Sequence, residues 1–239
     1  MAKQVLITGG AKRLGKSMAL YFASQGYNVL IHVNKSIDEG REFVTELSKK
    51  YPKQSFNMFC FDLVDWRRVD QVISEYYTQF GLPDVIIHNA SQYLQANLAE
   101  VNNQQIEEMM AIHLYSPMII NRVYKNRGGQ GQIITILDSA ITTNVTTHGM
   151  YLLAKKALHD YTKMSAMEWA PNIRINALAL GPVLPPEHKS TEHFNDVVTR
   201  SPLKTRVTEE AINASLSYLI NNENITGQTL FCDSGQHLQ

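Results

Sequence analysis

Tyr151 and Lys155 stand four residues apart in a stretch that reads as helix from Gly149 onward, so both side chains project from one face with their heads within reach of each other. A fixed ammonium favours phenolate over phenol, lowers the tyrosine pKa from its usual value of about 10, and makes it a proton donor or acceptor near neutral pH. In the same stretch Asp138 and Ser139 close the apolar run Gln132 to Leu137. Consecutive side chains on a strand point to opposite faces, so only one of the two can aim at the phenol. Tyr and Lys four apart are commonly a surface pair; the surrounding elements have to argue for more.

Those elements begin with a short apolar strand, Val5-Leu6-Ile7, followed by Thr8-Gly9-Gly10-Ala11-Lys12-Arg13-Leu14-Gly15 and a helix to about Gln25. Strand, glycine turn and helix together present backbone N–H groups and a positive helix end to a phosphate, here through Gly9, Arg13, Leu14 and Gly15. A second strand, Asn28 to Val33, follows at the spacing of a βαβ unit. An acid at its end would bind a ribose 2′-hydroxyl and repel a 2′-phosphate; this chain offers His32, Asn34, Lys35 and Ser36. With Arg13, two cations and a hydroxyl collect there, which predicts NADP(H) as cofactor. Asp62-Leu63 closes the third strand, Phe56 to Phe61, where the carboxylate can accept from an adenine amino group. The apolar run Asp84 to His88 is a strand of a sheet covered on both faces, and it delivers Asn89-Ala90-Ser91 to the carboxyl edge.

The remaining pattern alternates in the same way. Helices are expected over Ile37 to Lys50, Arg67 to Phe80, Gln104 to Lys125, Gly149 to Trp169 and Thr208 to Asn221, and further strands over Ile173 to Leu180 and Thr229 to Cys232. Gly181 to Thr205 is weakly periodic and proline-rich, and residues 182–205 are expected to form a mobile flap with one short helix. The alternation predicts an α/β fold, one doubly wound seven-stranded parallel sheet with helices on both faces, in a single domain over 1–239. Lys plus Arg and Asp plus Glu number 22 each, so no field draws the chain to nucleic acid or a membrane surface, and near-zero net charge favours self-association. Cys60 and Cys232 are read as small buried hydrophobes in a reducing compartment. No ligand-type Cys or His spacing suggests a metal. The N-terminus runs straight into a strand and no apolar run nears the roughly 20 residues of a membrane span, so a cytoplasmic location is expected.

Thr8-Gly9 with Gly15, Asn89-Ala90, Tyr151 with Lys155, Asn176, and Ile225-Thr226-Gly227 leading to Asp233 occur in an order and at distances that resemble the short-chain dehydrogenase/reductase family over essentially the whole chain. The resemblance implies hydride transfer between nicotinamide and a carbonyl, alcohol or imine, in a homotetramer or dimer. Family members usually carry serine thirteen residues before the tyrosine, where this chain has Asp138. With Arg13 in place of a middle glycine, and Asn89-Ala90-Ser91 followed by Tyr93, that departure is similar to the pteridine reductases, nearest to the bacterial dihydromonapterin reductase branch with its Gly-x-His-Leu ending, here Gly235 to Leu238. The implied substrate is a dihydropterin, lying between the nicotinamide and the Tyr93 ring, with Ser91 and Arg13 at the pterin edge and cofactor phosphates. Tyr151 would supply the proton, Lys155 would hold the nicotinamide ribose and acidify the phenol, and Asp138 would orient or relay the proton. Two departures bear on this: His113 replaces the usual asparagine of the long helix, and Leu180-Gly181 replaces the usual Pro-Gly of the loop that contacts the nicotinamide. His148 reads as a loop residue.

Two other readings compete. A carbonyl or 3-oxoacyl reductase fits the Tyr-Lys pair but leaves Asp138 and Arg13 unexplained. A non-catalytic NADP(H)-sensing regulator has no use for an acidified phenol.

Overall fold

The computed structural model describes residues 2–185 and 191–239. Strand β1 (Gln4–Thr8) leads into helix α1 (Arg13–Ser24), β2 (Asn28–Val33), α2 (Ile37–Lys50), β3 (Phe56–Cys60), α3 (Val69–Phe80) and β4 (Val85–His88). Then come α4 (Asn103–Met110), a π-helical segment (Ala111–Tyr115), α5 (Ser116–Asn126), β5 (Gly131–Asp138), α6 (Gly149–Trp169), β6 (Ile173–Leu180), α7 (Thr191–Arg200), α8 (Glu209–Asn221) and β7 (Thr229–Cys232). The seven strands form one sheet in the order β3-β2-β1-β4-β5-β6-β7, and each pairing is parallel. Chain direction across the sheet reverses between β1 and β4, which leaves a crevice at their carboxyl ends.

Helices cover both faces because the central strands are apolar on both. Ile7, Ile31 and Ile87 pack with Met18 and Phe22 of α1 and with Leu216 of α8. Leu6, Leu30 and Ile86 turn the other way, toward Ile73 and Tyr77 of α3 and Tyr124 of α5. Such two-sided burial is what near-continuous Val/Ile/Leu runs require.

The long helix expected over Gln104 to Lys125 is divided in three. Asn102 caps α4, its side chain accepting from Gln105 N–H at 2.9 Å while Gln105 Oε1 accepts from Asn102 N–H at 3.0 Å. The ladder then slips to π spacing at Ala111–Tyr115. Pro117 explains the slip: it has no N–H to return to the His113 carbonyl, so the regular turn cannot close there.

The expectation of two buried cysteines is corrected. Cys60 is exposed, because β3 is an edge strand and Cys60 is its last residue, with Sγ 3.2 Å from the Asn34 carbonyl; Cys232 is half-buried. In the segment read as a flap, the ten residues of α7 are helical and Phe194 is buried, whereas residues 186–190 lie outside the described residues. Among the described residues no helix is long and apolar enough to cross a membrane, and no group of three or more His, Cys, Asp or Glu gathers to hold a metal.

Ile87 is fully buried and lies in register with Ile7 and Ile134 on the neighbouring strands. Truncation to alanine in Ile87→Ala is expected to cost about 2–5 kcal/mol of stability, read from urea unfolding, with the circular dichroism spectrum of the folded variant unchanged.

Candidate active site

The crevice is held in shape by Thr8 and Asn89. Thr8 Oγ1 accepts from the backbone N–H groups of Asn89 (2.9 Å) and Ala90 (3.0 Å), and Asn89 Nδ2 donates to the carbonyls of Thr8 (3.0 Å) and Gly9 (3.1 Å). Two strands that never touch in sequence are thereby locked end to end. Gly9 adopts φ +65°, and a Cβ at Gly15 would overlap the Gly9 carbonyl oxygen and sit 2.9 Å from Asn89 Nδ2. The glycine loop therefore folds against itself at the start of α1, the helix end that favours an anion.

That opening is a groove of about 410 Å³, lined by Gly9, Arg13, Leu14 and Gly15 of the loop, Asn34, Lys35 and Ser36 after β2, Asp62 and Leu63 after β3, and Asn89, Ala90 and Ser91 after β4. Its rim beyond β2 carries Lys35, Ser36 and Lys12. Lys12 pairs with Glu39. Arg13, at φ +48°, donates from Nη2 to the Pro185 carbonyl at 3.0 Å, so its guanidinium crosses toward the far wall. His32, expected at the end of β2, lines the groove, and so do Gln92 and Ile112, which the sequence pattern did not single out. His32 is buried; its Nδ1 accepts from Gly9 N–H at 3.3 Å and its Nε2 donates to the Phe61 carbonyl at 2.8 Å. Burial pushes its pKa down to about 4, so His32 is a neutral tie between loop and sheet. A buried histidine inside an otherwise apolar strand was the available signal.

Beyond the groove, at the ends of β4 and β5, the candidate proton-transfer residues meet. Asp138 ends β5 and accepts from Ala140 N–H on Oδ1 (2.8 Å) and from the Tyr151 hydroxyl on Oδ2 (3.1 Å). Ser139 turns the other way, buried, with Oγ donating to Gln236 Oε1 at 3.3 Å. Lys155 is buried on the same face of α6 and donates to the Ile136 carbonyl at 2.9 Å, with Nζ 5.8 Å from the centre of the Tyr151 ring.

Electrostatics here differ from the expectation that Lys155 acidifies the phenol. Burial first and the Asp138 charge second push the Tyr151 pKa well above its ordinary value, opposed only by a hydrogen bond from Ser91. The Lys155 ammonium, which donates to the Ile136 carbonyl, does not reverse this shift. Burial lowers Lys155 itself to about 8, with Asp138 pulling upward. Tyr151 thus keeps its proton, and Lys155 is the group poised to change charge.

Tyr93 is half exposed (52%), and its ring lies 5.2 Å from Tyr151 at 64° and 5.5 Å from His148. His148 itself lies 6.1 Å from Tyr151, so this loop residue is part of the aromatic wall. Gly181 does not line the groove; it packs on the Asp233 backbone, where a Cβ would come within 2.7 Å of the Asp233 Cα. The groove is lined as far as Ser91 and Gln92 at the end of β4, and Tyr93, next in the chain, packs against Tyr151, whose hydroxyl meets Asp138.

A family model described as Enoyl-(Acyl carrier protein) reductase matches residues 9–237. The chain is similar to the dihydromonapterin reductase of Shigella flexneri serotype 5b, 27% identical over 252 residues and covering 98% of this chain and 97% of that one. It is likewise 27% identical to the uncharacterized oxidoreductase YmfI of Bacillus subtilis over 250 residues, covering 99% and 100% of the two. Among solved structures, FolM Alternative dihydrofolate reductase 1 from Brucella suis in complex with NADP superposes with a TM-score of 0.92 at 29% identity, covering 99% of this chain and 96% of that one.

The crowding at Gly15 makes a direct test of the groove. In Gly15→Ala the loop must move away from Asn89, and NADPH affinity, followed by nucleotide fluorescence, is expected to fall at least about tenfold, the equivalent of roughly 1.4 kcal/mol.

Proposed function

The chain belongs to the short-chain dehydrogenase/reductase family, and on that premise we propose that it reduces a dihydropterin to the tetrahydro form with NADPH, in the manner of the pteridine reductases. The single observation carrying this reading is the contact between Asp138 Oδ2 and the Tyr151 hydroxyl. An acid in that position suits the C=N bond of a dihydropterin, where a proton must reach nitrogen as hydride reaches carbon. A ketone reductase has no need of it. The relatives named dihydromonapterin reductase and alternative dihydrofolate reductase support the same choice.

The residues fit the cofactor. Gly9, Gly15, Asn89 and Ala90 would hold the pyrophosphate and nicotinamide end; Asn34, Lys35 and Ser36, with no carboxylate among them, would take a 2′-phosphate; Asp62 and Leu63 would meet the adenine. When bound, the cofactor supplies the hydride. Tyr151, kept protonated by burial, donates its proton to the substrate nitrogen, and Asp138 orients the hydroxyl through their hydrogen bond. Lys155, positively charged below about pH 8, balances the charge left on the phenol oxygen. Tyr93 offers a half-exposed face for stacking, worth about 0.5–1.5 kcal/mol beyond burial. Arg13 and Ser91 flank the place where the pterin edge would lie.

Within this reading the substrate is a dihydromonapterin- or dihydrobiopterin-like pterin, with dihydrofolate a further candidate. Self-association into a tetramer or dimer belongs to the same proposal, and the exposed side chains of Leu153, Met164 and Met167 along one side of α6 give it an apolar surface.

NADPH oxidation, followed by absorbance with dihydrobiopterin, dihydromonapterin, dihydrofolate and acetoacetyl thioesters in parallel, tests the assignment. Turnover of at least one pterin is expected; turnover of the thioester alone would overturn it. Asp138→Asn and Tyr151→Phe are each expected to lower kcat by about 100-fold or more with NADPH binding retained, the usual scale for a lost general acid. In the unaltered protein kcat/KM should be level at lower pH and fall as pH rises through about 8, because the lysine pKa is lowered and its charge is lost on the alkaline side.

A further inference from the structure

The chain ends in a closed turn, from Asp233 to Gln239, that the chemistry above does not use. Asp233 follows β7 and is 3% exposed, and the residues just after it take up its carboxylate. Oδ1 accepts from Gly235 N–H at 3.0 Å, Oδ2 accepts from His237 N–H at 2.7 Å, and His237 Nδ1 lies 2.9 Å from Oδ2. A carboxylate only accepts, so the imidazole proton on that side belongs to Nδ1. The His237 ring also stacks on Phe231, with centres 4.2 Å apart at 24°. Ser234 and Gly235 take φ +57° and +83°, which turns the chain back over the acid.

This turn is bonded on two further sides. Toward the end of α7, Ser234 Oγ donates to the Thr205 carbonyl at 2.7 Å, Leu203 N–H donates to the Ser234 carbonyl at 3.1 Å, and Gln239 Nε2 donates to the Arg200 carbonyl at 2.7 Å. Toward β5, Gln236 Oε1 accepts from Ser139 Oγ at 3.3 Å, and the His237 carbonyl accepts from Thr142 Oγ1 at 3.5 Å. Fastened at its base and along its flank, the turn is a fixed post instead of a loose end.

The contact with Ser139 falls where the sheet stops. Pairing between β5 and β6 ends at Asp138 with Leu180, so the peptide that follows lies outside the ladder. Asp138 and Ser139 leave the chain there on opposite sides, and a rotation that brings one toward Tyr151 carries the other away. Holding Ser139 therefore also holds Asp138.

We propose that Gln236, its turn locked on Asp233 by His237, is a positioning residue for Asp138: by holding Ser139 from the end of the chain it keeps the neighbouring carboxylate aimed at the Tyr151 hydroxyl. The proposal rests on the reading of Asp138 and Tyr151 as partners in proton transfer.

Kinetics and a spectroscopic signal test it separately. In Gln236→Ala, kcat for the dihydropterin that is turned over is expected to fall about three- to tenfold, the scale of one neutral hydrogen bond, with KM and NADPH affinity within about twofold of the unaltered protein. Ser139→Ala removes the same bond from its other end, should give the same loss, and stands in for Gln236→Ala if the turn unravels. The double variant should lose no more than either one alone. Gln236→Glu, which keeps an acceptor for Ser139, should recover most of the rate. A folded Gln236→Ala with unchanged kcat, or losses that multiply in the double variant, would overturn the proposal. Without substrate, ¹³C NMR of protein labelled at tyrosine Cζ, with NADPH bound, reads the phenol directly. The Tyr151 resonance, assigned by its disappearance in Tyr151→Phe, should move in Gln236→Ala or Ser139→Ala and return in Gln236→Glu; a resonance that stays in place would show that Asp138 keeps its aim unaided. If no pterin is turned over, the assignment of the reaction fails by itself, and the tyrosine resonance still decides the role of Gln236.

Discussion

The packing of α6 against β5 and β6 governs this molecule's chemistry, because it alone brings Asp138 at the end of a strand to Tyr151 on a helix. The helix buries Leu152 and Leu158 toward Leu137, Ala177 and Ala179 of the two strands, which fixes its rotation and depth. Once that rotation is set, Tyr151 and Lys155 can face only the carboxyl edge of the sheet. The phenol meets the Asp138 carboxylate, and the ammonium meets the Ile136 carbonyl two residues earlier on the same strand.

Burial then decides which of these groups titrates. Tyr151 and Lys155 are both nearly inaccessible, and loss of water disfavours the charged form of each, raising the phenol and lowering the amine. A phenol that holds its proton beside an amine that changes charge near pH 8 makes a donor supported by an adjustable cation. An exposed Tyr-Lys pair on the same helix would have neither property.

The crevice opposite depends on a different constraint. Sheet order places β1 beside β4, and Thr8 and Asn89 close the junction through their hydrogen bonds. Gly15 has to lack a side chain because α1 starts directly against the Gly9 carbonyl. His32 adds a third attachment, joining the glycine loop to the end of β3. A loop so anchored keeps its N–H groups in place without a ligand to organise them.

Much was legible in the chain alone. Alternating apolar strands and amphipathic helices dictate a parallel sheet covered on both faces, since no other arrangement buries runs such as Val85-Ile86-Ile87 on two sides. Strand alternation likewise determines that Asp138 and Ser139 part ways, one to Tyr151 and the other to Gln236. Tertiary structure decided what depends on surroundings. Spacing cannot report burial, so it predicted the wrong direction for the Tyr151 pKa and a buried Cys60. Nor can it report contacts between distant segments: Arg13 with Pro185 and His148 with Tyr93 exist only because the fold brings their loops to one edge.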